Sequence, residues 1–240
     1  MENVAVLVAV FLGGIVSGFA GFAFSAVAGV ILLHLLTPVL AIPLMMSCTI
    51  VSQLATLLAL RRSIDWGEAV PLTLGGMAGL PLGLSLMMLA QPHAYRVAFG
   101  LILIGYSIYM LLKRPVANLA GAATPTLHSA VGFAGGVIGG FTAMPGALPV
   151  MWCELRGVPK ARQRGVVQPF ILVMQALAVA LLFFNSGTPR AEIWNYTLVA
   201  LPALAGGVLI GFFLYSRVNA ARFRTAILWL LLLCGALMVF

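Results

Sequence analysis

The sequence predicts an all-α polytopic membrane protein, and three observations support this fold class. The 240-residue chain is 62% hydrophobic and only 8% charged, with a mean hydropathy of +1.13, whereas soluble domains average roughly 25% charged residues. Its apolar residues form long runs separated by charged or Pro/Gly-rich breaks. These runs lack the two-residue alternation of membrane β-strands, so we expect helices.

The apolar runs differ in length, and the first is too long for one ordinary crossing. The runs cover residues 4–36, 39–60, 68–90, 97–112, 126–152, 165–184, 193–215 and 223–240. A continuous helix over 4–36 would be about 50 Å long, against a hydrocarbon core of about 30 Å. We expect the chain to turn back within residues 17–22; a single long tilted helix is the alternative.

Internal similarity predicts one transmembrane domain, residues 1–240, made of two related halves at about 1–114 and 125–240. The segment 13–20 matches 135–142 at an offset of 122, which also relates Gln53 to Gln175. A second set matches at an offset of 128, namely Gly79, Gly83, Tyr95 and Arg96 with Gly207, Gly211, Phe223 and Arg224. The fifth run should therefore also break, at Met144-Pro145-Gly146, which gives re-entrant hairpins at about 4–36 and 126–152.

The distribution of basic residues favours these hairpins and predicts inverted halves. If both hairpins return to their starting side, eleven of the thirteen Lys and Arg residues share one side, whereas eight single crossings would split them eight to five. The eleven are Arg61, Arg62, Lys113, Arg114, Arg156, Lys160, Arg162, Arg164, Arg217, Arg222 and Arg224. Basic loops are retained in the cytoplasm. We therefore expect a multi-pass protein of the inner (cytoplasmic) membrane with both termini on the non-cytoplasmic side.

The positions of the charged residues and histidines disfavour several function classes. Its net charge of +8 lies in short segments between apolar runs, so topology rather than nucleic-acid binding explains it. The three histidines are scattered without acidic neighbours inside the runs, and all five acidic residues fall at run ends. We expect no enzymatic activity, no metal and no cofactor. A non-transporting membrane scaffold is a remaining alternative.

Two glycine-rich motifs carry a family resemblance. The second half reads GGVIGGFTAMPG and continues to Arg156-Gly157-Val158-Pro159-Lys160-x-x-x-Arg164-Gly165. The first half reads GGIVSGFAGFAF, followed by Leu36-Thr37-Pro38-x-x-Ala41. With its paired repeats, the whole chain resembles the TauE/SafE family of sulfite and organosulfur anion exporters. The resemblance implies export of a small sulfur-containing anion.

The two hairpin tips are the expected substrate site, because helix N-termini supply unpaired N–H groups and a positive dipole end for an anion. The candidate residues are Ser17, Gly18, Gly21 and Ser25 in the first hairpin and Gly140, Thr142, Pro145 and Gly146 in the second. The alternative is that these small residues only allow helices to pack closely.

Polar side chains inside the runs are further candidates, since they are costly in a membrane. Thr49 and Gln53 share one helix face, as do Gln168 and Gln175. We expect Gln53 and Gln175 to be substrate-facing donors, with hydrogen bonding between helices as the competing role. Arg162 and Arg164 either attract anions at the cytoplasmic mouth or anchor the topology.

The acidic residues also bear on energy coupling. Without a carboxylate inside a span, a proton relay is not expected, and an inside-negative potential alone would expel an anion. The predicted partners are a small anionic substrate and the lipid bilayer. Exporters of another small anion, a neutral solute or a cation are alternatives, and the sequence leaves open whether the protein forms a homodimer.

Overall fold

The computed structural model describes residues 2–60, 64–112, 124–184, 189–217 and 220–239, and within these ranges it contains ten α-helices and no strand. The helices are α1 (Glu2–Ala20), α2 (Phe24–Leu35), α3 (Pro38–Leu60), α4 (Trp66–Leu89), α5 (Pro92–Leu112), α6 (Pro125–Thr142), α7 (Ala147–Leu155), α8 (Lys160–Phe184), α9 (Arg190–Arg217) and α10 (Ala220–Val239). The predicted all-helical class is confirmed. Arg61, Arg62, Lys113 and Arg114 of the predicted basic side lie outside the described residues.

Both predicted helix breaks are present. The first run divides into α1 and α2 at residues 21–23, and the fifth divides into α6 and α7 at residues 143–146. Gly21 has a φ of +84° and Ala143 a φ of +56°, so each break begins with a residue in the left-handed region. The first break lies slightly later than predicted, since Ser17 and Gly18 are still within α1.

The broken helices fold back as hairpins. Gly13 of α1 lies against Phe24 and Ala28 of α2. In the second hairpin, His128 near the start of α6 and Arg156 just after α7 both contact Glu68. Because the two ends of the α6–α7 unit meet at one residue, this unit returns to the end of the bundle from which it started.

The lengths and apolar compositions of the helices agree with this arrangement. Among the described residues, five helices are long and apolar enough to cross a bilayer: Pro38–Leu57, Trp66–Leu89, Pro92–Leu112, Lys160–Phe184 and Arg190–Leu214. Val4–Ala20, Phe24–Leu35 and Thr225–Val239 form shorter apolar helices. Long helices able to cross a bilayer are therefore combined with shorter apolar helices, which include both helices of the first hairpin.

The helices of the first half, α1–α5, make the same set of contacts as their counterparts in the second half, α6–α10, taken in chain order. α1 packs along α9, and its counterpart α6 packs along α4. α3 packs on α8 and α5 on α10, so each of these contacts is its own counterpart. One contact has no counterpart. α2 packs on α10, but the corresponding pair, α7 and α5, is not closely packed among the described residues.

Glycines allow the two longest helix contacts. A β-carbon on Gly79 of α4 would overlap the carbonyl oxygen of Phe133 in α6, and one on Gly211 of α9 would overlap that of Ile15 in α1. Small residues let backbones approach closely in membranes, where no hydrophobic effect draws helices together. These glycines fix how α4 and α9 hold the two hairpins.

Gly79→Ala is expected to destabilise the protein by about 1–3 kcal/mol, because overpacking forces two backbones apart. The matched control is Gly105→Ala in α5, where a β-carbon meets no described atom within 4 Å and higher helix propensity adds up to about 1 kcal/mol. Thermal unfolding in detergent measures both. Equal midpoints for the two variants would contradict the close α4–α6 contact.

Candidate functional site

The first hairpin tip, residues 21–23, is held by its backbone groups. The Gly21 N–H donates to the Ser17 carbonyl at 2.7 Å, and the Gly21 carbonyl accepts from Nε2 of Gln53 at 2.6 Å. The nearby carbonyl of Phe19 accepts from Nη2 of Arg164. Side chains of α3 and α8 therefore hold the end of α1.

The second tip, residues 143–146, is held in the corresponding way. The Ala143 N–H donates to the Gly139 carbonyl at 2.8 Å, and the Ala143 carbonyl accepts from Nε2 of Gln175 at 2.7 Å. The carbonyl of Phe141 accepts from the Tyr95 hydroxyl at 2.6 Å. Gln53 and Gln175 thus perform the same task at the two tips.

The two tips touch each other. The Ser25 hydroxyl at the start of α2 donates to the Ala143 carbonyl at 2.7 Å, which links the hairpins directly. A β-carbon on Gly146 would stand 2.9 Å from Cβ of Phe22. Contact between residues so far apart in sequence brings the N-termini of α2 and α7 to one region of the bundle.

Neither of these helix N-termini is capped by a side chain within the described structure. The N-cap residues are Ala23 for α2 and Gly146 for α7, and no side-chain cap hydrogen bond forms at either. The first turn of a helix carries N–H groups without intrahelical partners and the positive end of the macrodipole. Two such ends side by side favour a bound anion.

A cavity of about 90 Å³ opens beside the first tip. Phe22 lines it on the tip side, Tyr106 of α5 and Val150 of α7 line its walls, and its polar lining comes from Glu154 and from Lys160, Gln163 and Arg164 of α8. It occupies the region between α5 and α7 where the helix contacts fail to correspond. The first tip is therefore accessible from the end of the bundle where α8 begins.

Gln168 lies at the first tip with an unusual environment. Its side chain is buried, at 2% exposure, and neither amide atom has a hydrogen-bond partner among the described residues. Its Nε2 is 2.9 Å from the position of a β-carbon on Gly21. The amide is thus directed at the turn that precedes α2.

Of the other predicted site residues, the threonines bond to the backbone of their own helices and the glycines and proline pack between helices. The Ser17 hydroxyl lies 3.2 Å from that of Ser52. The Thr49 hydroxyl donates to the Met45 carbonyl at 2.8 Å, and the Thr142 hydroxyl donates to the Ile138 carbonyl at 2.7 Å. Pro145 packs against Gly139 of α6. Gly18 and Gly140 lie at the α1–α9 and α4–α6 contacts, where close helix packing requires them.

A buried charge cluster at the start of α4 was missed by the sequence interpretation. Arg156 donates to both carboxylate oxygens of Glu68, at 2.7 and 2.8 Å, and to Nε2 of His128 at 2.9 Å. Arg162 donates to Asp65 at 2.9 Å and to Glu68 at 3.1 Å. The expectation that the histidines lack acidic neighbours is wrong for His128, because helix packing brings its ring to within 3.3 Å of Glu68.

This cluster ties α4, α6, α7 and α8 together at one end. The hydrogen bonds that Arg156 donates to the Glu68 carboxylate raise the pKa of the guanidinium above its ordinary value, so it stays ionised. Arg162 belongs to this cluster, whereas Arg164, two residues later, reaches the hairpin tip and the cavity. The two arginines predicted at the mouth therefore have different surroundings.

The left-handed residues at the two tips give a paired prediction. Gly21→Ala should destabilise the protein by about 1–2 kcal/mol, because its φ of +84° disfavours a β-carbon. Ala143→Gly should change stability by less than about 1 kcal/mol, since release of strain offsets the added chain entropy of glycine. Unfolding midpoints in detergent would contradict the described turns if the two substitutions had equal effects.

The described helices define a multi-pass α-helical membrane protein in which two broken helices meet tip to tip, an arrangement found in secondary transporters. The comparison with known families is specific. The chain belongs to the sulfite exporter TauE/SafE family, whose model matches residues 6–238. This is a family of membrane transporters. No curated protein and no solved structure matches the chain significantly.

Proposed function

We propose that the protein exports a small sulfur-containing anion, of the sulfite, thiosulfate or organosulfonate class, across the cytoplasmic membrane. The observation that carries the proposal is the contact between two hairpin tips whose helix N-termini lack side-chain caps. Arg164 adds a cationic side chain at the first tip. Family membership supports the sulfur-containing class.

The position of the cavity supports entry from the cytoplasm. Lys160, Gln163 and Arg164 bring polar groups to its lining at the end where α8 begins. The basic residues of the chain favour this end as the cytoplasmic side. Both termini would then face the opposite side of the inner membrane.

The exchange of helix contacts supports two inverted halves, residues 1–114 and 125–240. In such transporters, substrate sites lie at the interface of the repeats and alternate access arises when one repeat moves against the other. The cavity beside the first tip has no corresponding gap between α2 and α10, which pack together. In a cytoplasm-facing state the substrate site opens toward one side of the membrane only, and an opening beside one tip fits that state.

An exporter of another small anion or of a neutral solute is the second candidate, because backbone N–H groups and amides recognise oxygen atoms rather than sulfur. A non-transporting scaffold has no comparable support from the tips. Thermal stabilisation of the purified protein by sulfite, thiosulfate, taurine and acetate distinguishes these possibilities, since a ligand of the folded state raises its apparent stability.

Transport is proposed to be driven by the membrane potential. Glu68 is buried in the first turn of α4, and both of its oxygens accept from arginine. A carboxylate held in this way does not readily take up a proton. A potential then drives export at about 2.3 kcal/mol per charge per 100 mV.

Proteoliposomes with an imposed potassium diffusion potential test this mechanism. A singly charged anion should reach a concentration ratio of about 50-fold at 100 mV, which follows from 2.3 kcal/mol per charge. Vesicles without protein and vesicles with a pH gradient but no potential are the controls. Flux that follows the pH gradient and ignores the potential would contradict the mechanism while leaving anion transport intact.

A further inference from the structure

Three glutamines lie near the hairpin tips, and their amides are used differently. Gln53 and Gln175 donate their Nε2 groups to the carbonyls of Gly21 and Ala143. Gln168 is equally buried, yet neither its Nε2 nor its Oε1 has a partner among the described residues. A buried polar group that is left without a partner destabilises the folded state, so its presence here needs an explanation.

Gln168 also breaks the correspondence between the halves. The offset of 122 that relates Gln53 to Gln175 places Met46 at the position equivalent to Gln168. Met46 is fully buried and apolar, as expected for a residue that only fills the core. The polar side chain is therefore a feature of the first tip and not of the repeat.

The surroundings of Gln168 favour a particular ligand. Arg164 precedes it by four residues on α8, so the two side chains share one helix face. Arg164 reaches the last turn of α1 and Gln168 the turn before α2, whose N-terminus has no side-chain cap within the described structure. A guanidinium, an amide N–H and a helix N-terminus together supply hydrogen-bond donors and positive potential, and among the described residues that line the adjacent cavity Glu154 contributes the carboxylate.

We propose that Gln168 is the substrate-contacting and specificity-determining side chain of the first tip, and that its Nε2 donates to an oxygen of a small oxyanion bound between Arg164 and the N-terminus of α2. The inference rests on the proposed anion-export function and assigns it to one tip. Gln53 and Gln175 shape the two turns without contacting the anion.

Gln168→Met separates this role from a purely structural one. Replacing an unsatisfied amide by a side chain of similar size should leave the thermal midpoint unchanged or raise it. Anion affinity, measured with sulfite and thiosulfate by isothermal titration or thermal shift, should fall about 10- to 100-fold, since a hydrogen bond to a charged group is lost. Gln168→Asn, which withdraws the amide by one methylene group, should bind with intermediate affinity.

Ser107→Ala is the matched control. The Ser107 hydroxyl is also buried without a partner among the described residues, but it lies in the second half of α5 and does not line the cavity. Its removal should likewise preserve or raise the midpoint and should leave anion affinity unchanged. Equal affinity in Gln168→Met and the unaltered protein would overturn the inference while leaving the proposed function in place. Failure of the unaltered protein to bind any of the tested anions would contradict the proposed function and the inference together.

Discussion

Glu68→Gln is expected to lower the free energy of unfolding by about 3–5 kcal/mol, the usual effect of removing one member of a buried ion pair. Only 11% of the Glu68 side chain and 6% of the Arg156 side chain are exposed. The substitution keeps the shape of the side chain but leaves the Arg156 guanidinium buried without its counter-ion. Denaturant or thermal unfolding of the purified protein in detergent measures the loss.

Two further variants isolate the buried charge as the cause. Glu192→Gln removes an exposed carboxylate from the first turn of α9 and should cost no more than about 1 kcal/mol, the usual size of a helix-dipole interaction. The double variant Glu68→Gln, Arg156→Met should recover most of the stability, because both charges leave the interior together. A loss below 1 kcal/mol for Glu68→Gln, or no recovery in the double variant, would contradict the described pairing.

The charge cluster also shows where the sequence interpretation reached its limit. Glu68, His128 and Arg156 are separated by 60 and 28 residues, and each lies at the end of an apolar run. Run ends are ordinarily solvated, so no local pattern marks these residues as buried. Their pairing depends on how α6 and α7 fold back against α4, which a single sequence does not encode in its spacing.

The helix breaks were predictable because they depend on local chemistry. A run too long for one crossing and a Met-Pro-Gly step inside a second run both require the helix to stop. The remaining uncertainty of a few residues at the first break has a simple cause. Helix α1 contains several glycines that tolerate helix, so the sequence does not specify which of them begins the turn.

The roles of the three glutamines could not be predicted in the same way. Helical spacing correctly places Gln168 and Gln175 on one face of α8, yet it does not reveal what each amide meets. Gln175 reaches a carbonyl 32 residues away, as does Gln53. The structure shows the hydrogen bonds that Gln53 and Gln175 donate between elements, and their role as substrate-facing donors stays a prediction.

Arg164→Gln is expected to reduce anion export by about 10- to 100-fold, the range for loss of a charged hydrogen-bond donor. Glutamine keeps an amide donor on this face of α8, but its side chain ends two bonds short of the Nη2 that donates to the Phe19 carbonyl. What it removes is the positive charge that Arg164 brings to the first tip and the cavity. The measurement is potential-driven efflux of sulfite from proteoliposomes, normalised to the amount of folded protein.

A comparison with Lys160 tests whether the charge must lie at the first tip or only somewhere in the cavity lining. Lys160 lines the same cavity but is exposed at the start of α8, so water and salt screen its charge. Lys160→Gln should therefore lower export only a few-fold, and mainly at low ionic strength. Arg164→Lys, which keeps the charge near the tip, should retain more export than Arg164→Gln. Similar losses in Lys160→Gln and Arg164→Gln would mean that the cavity attracts anions only through its overall charge, and the first tip would no longer be the binding site.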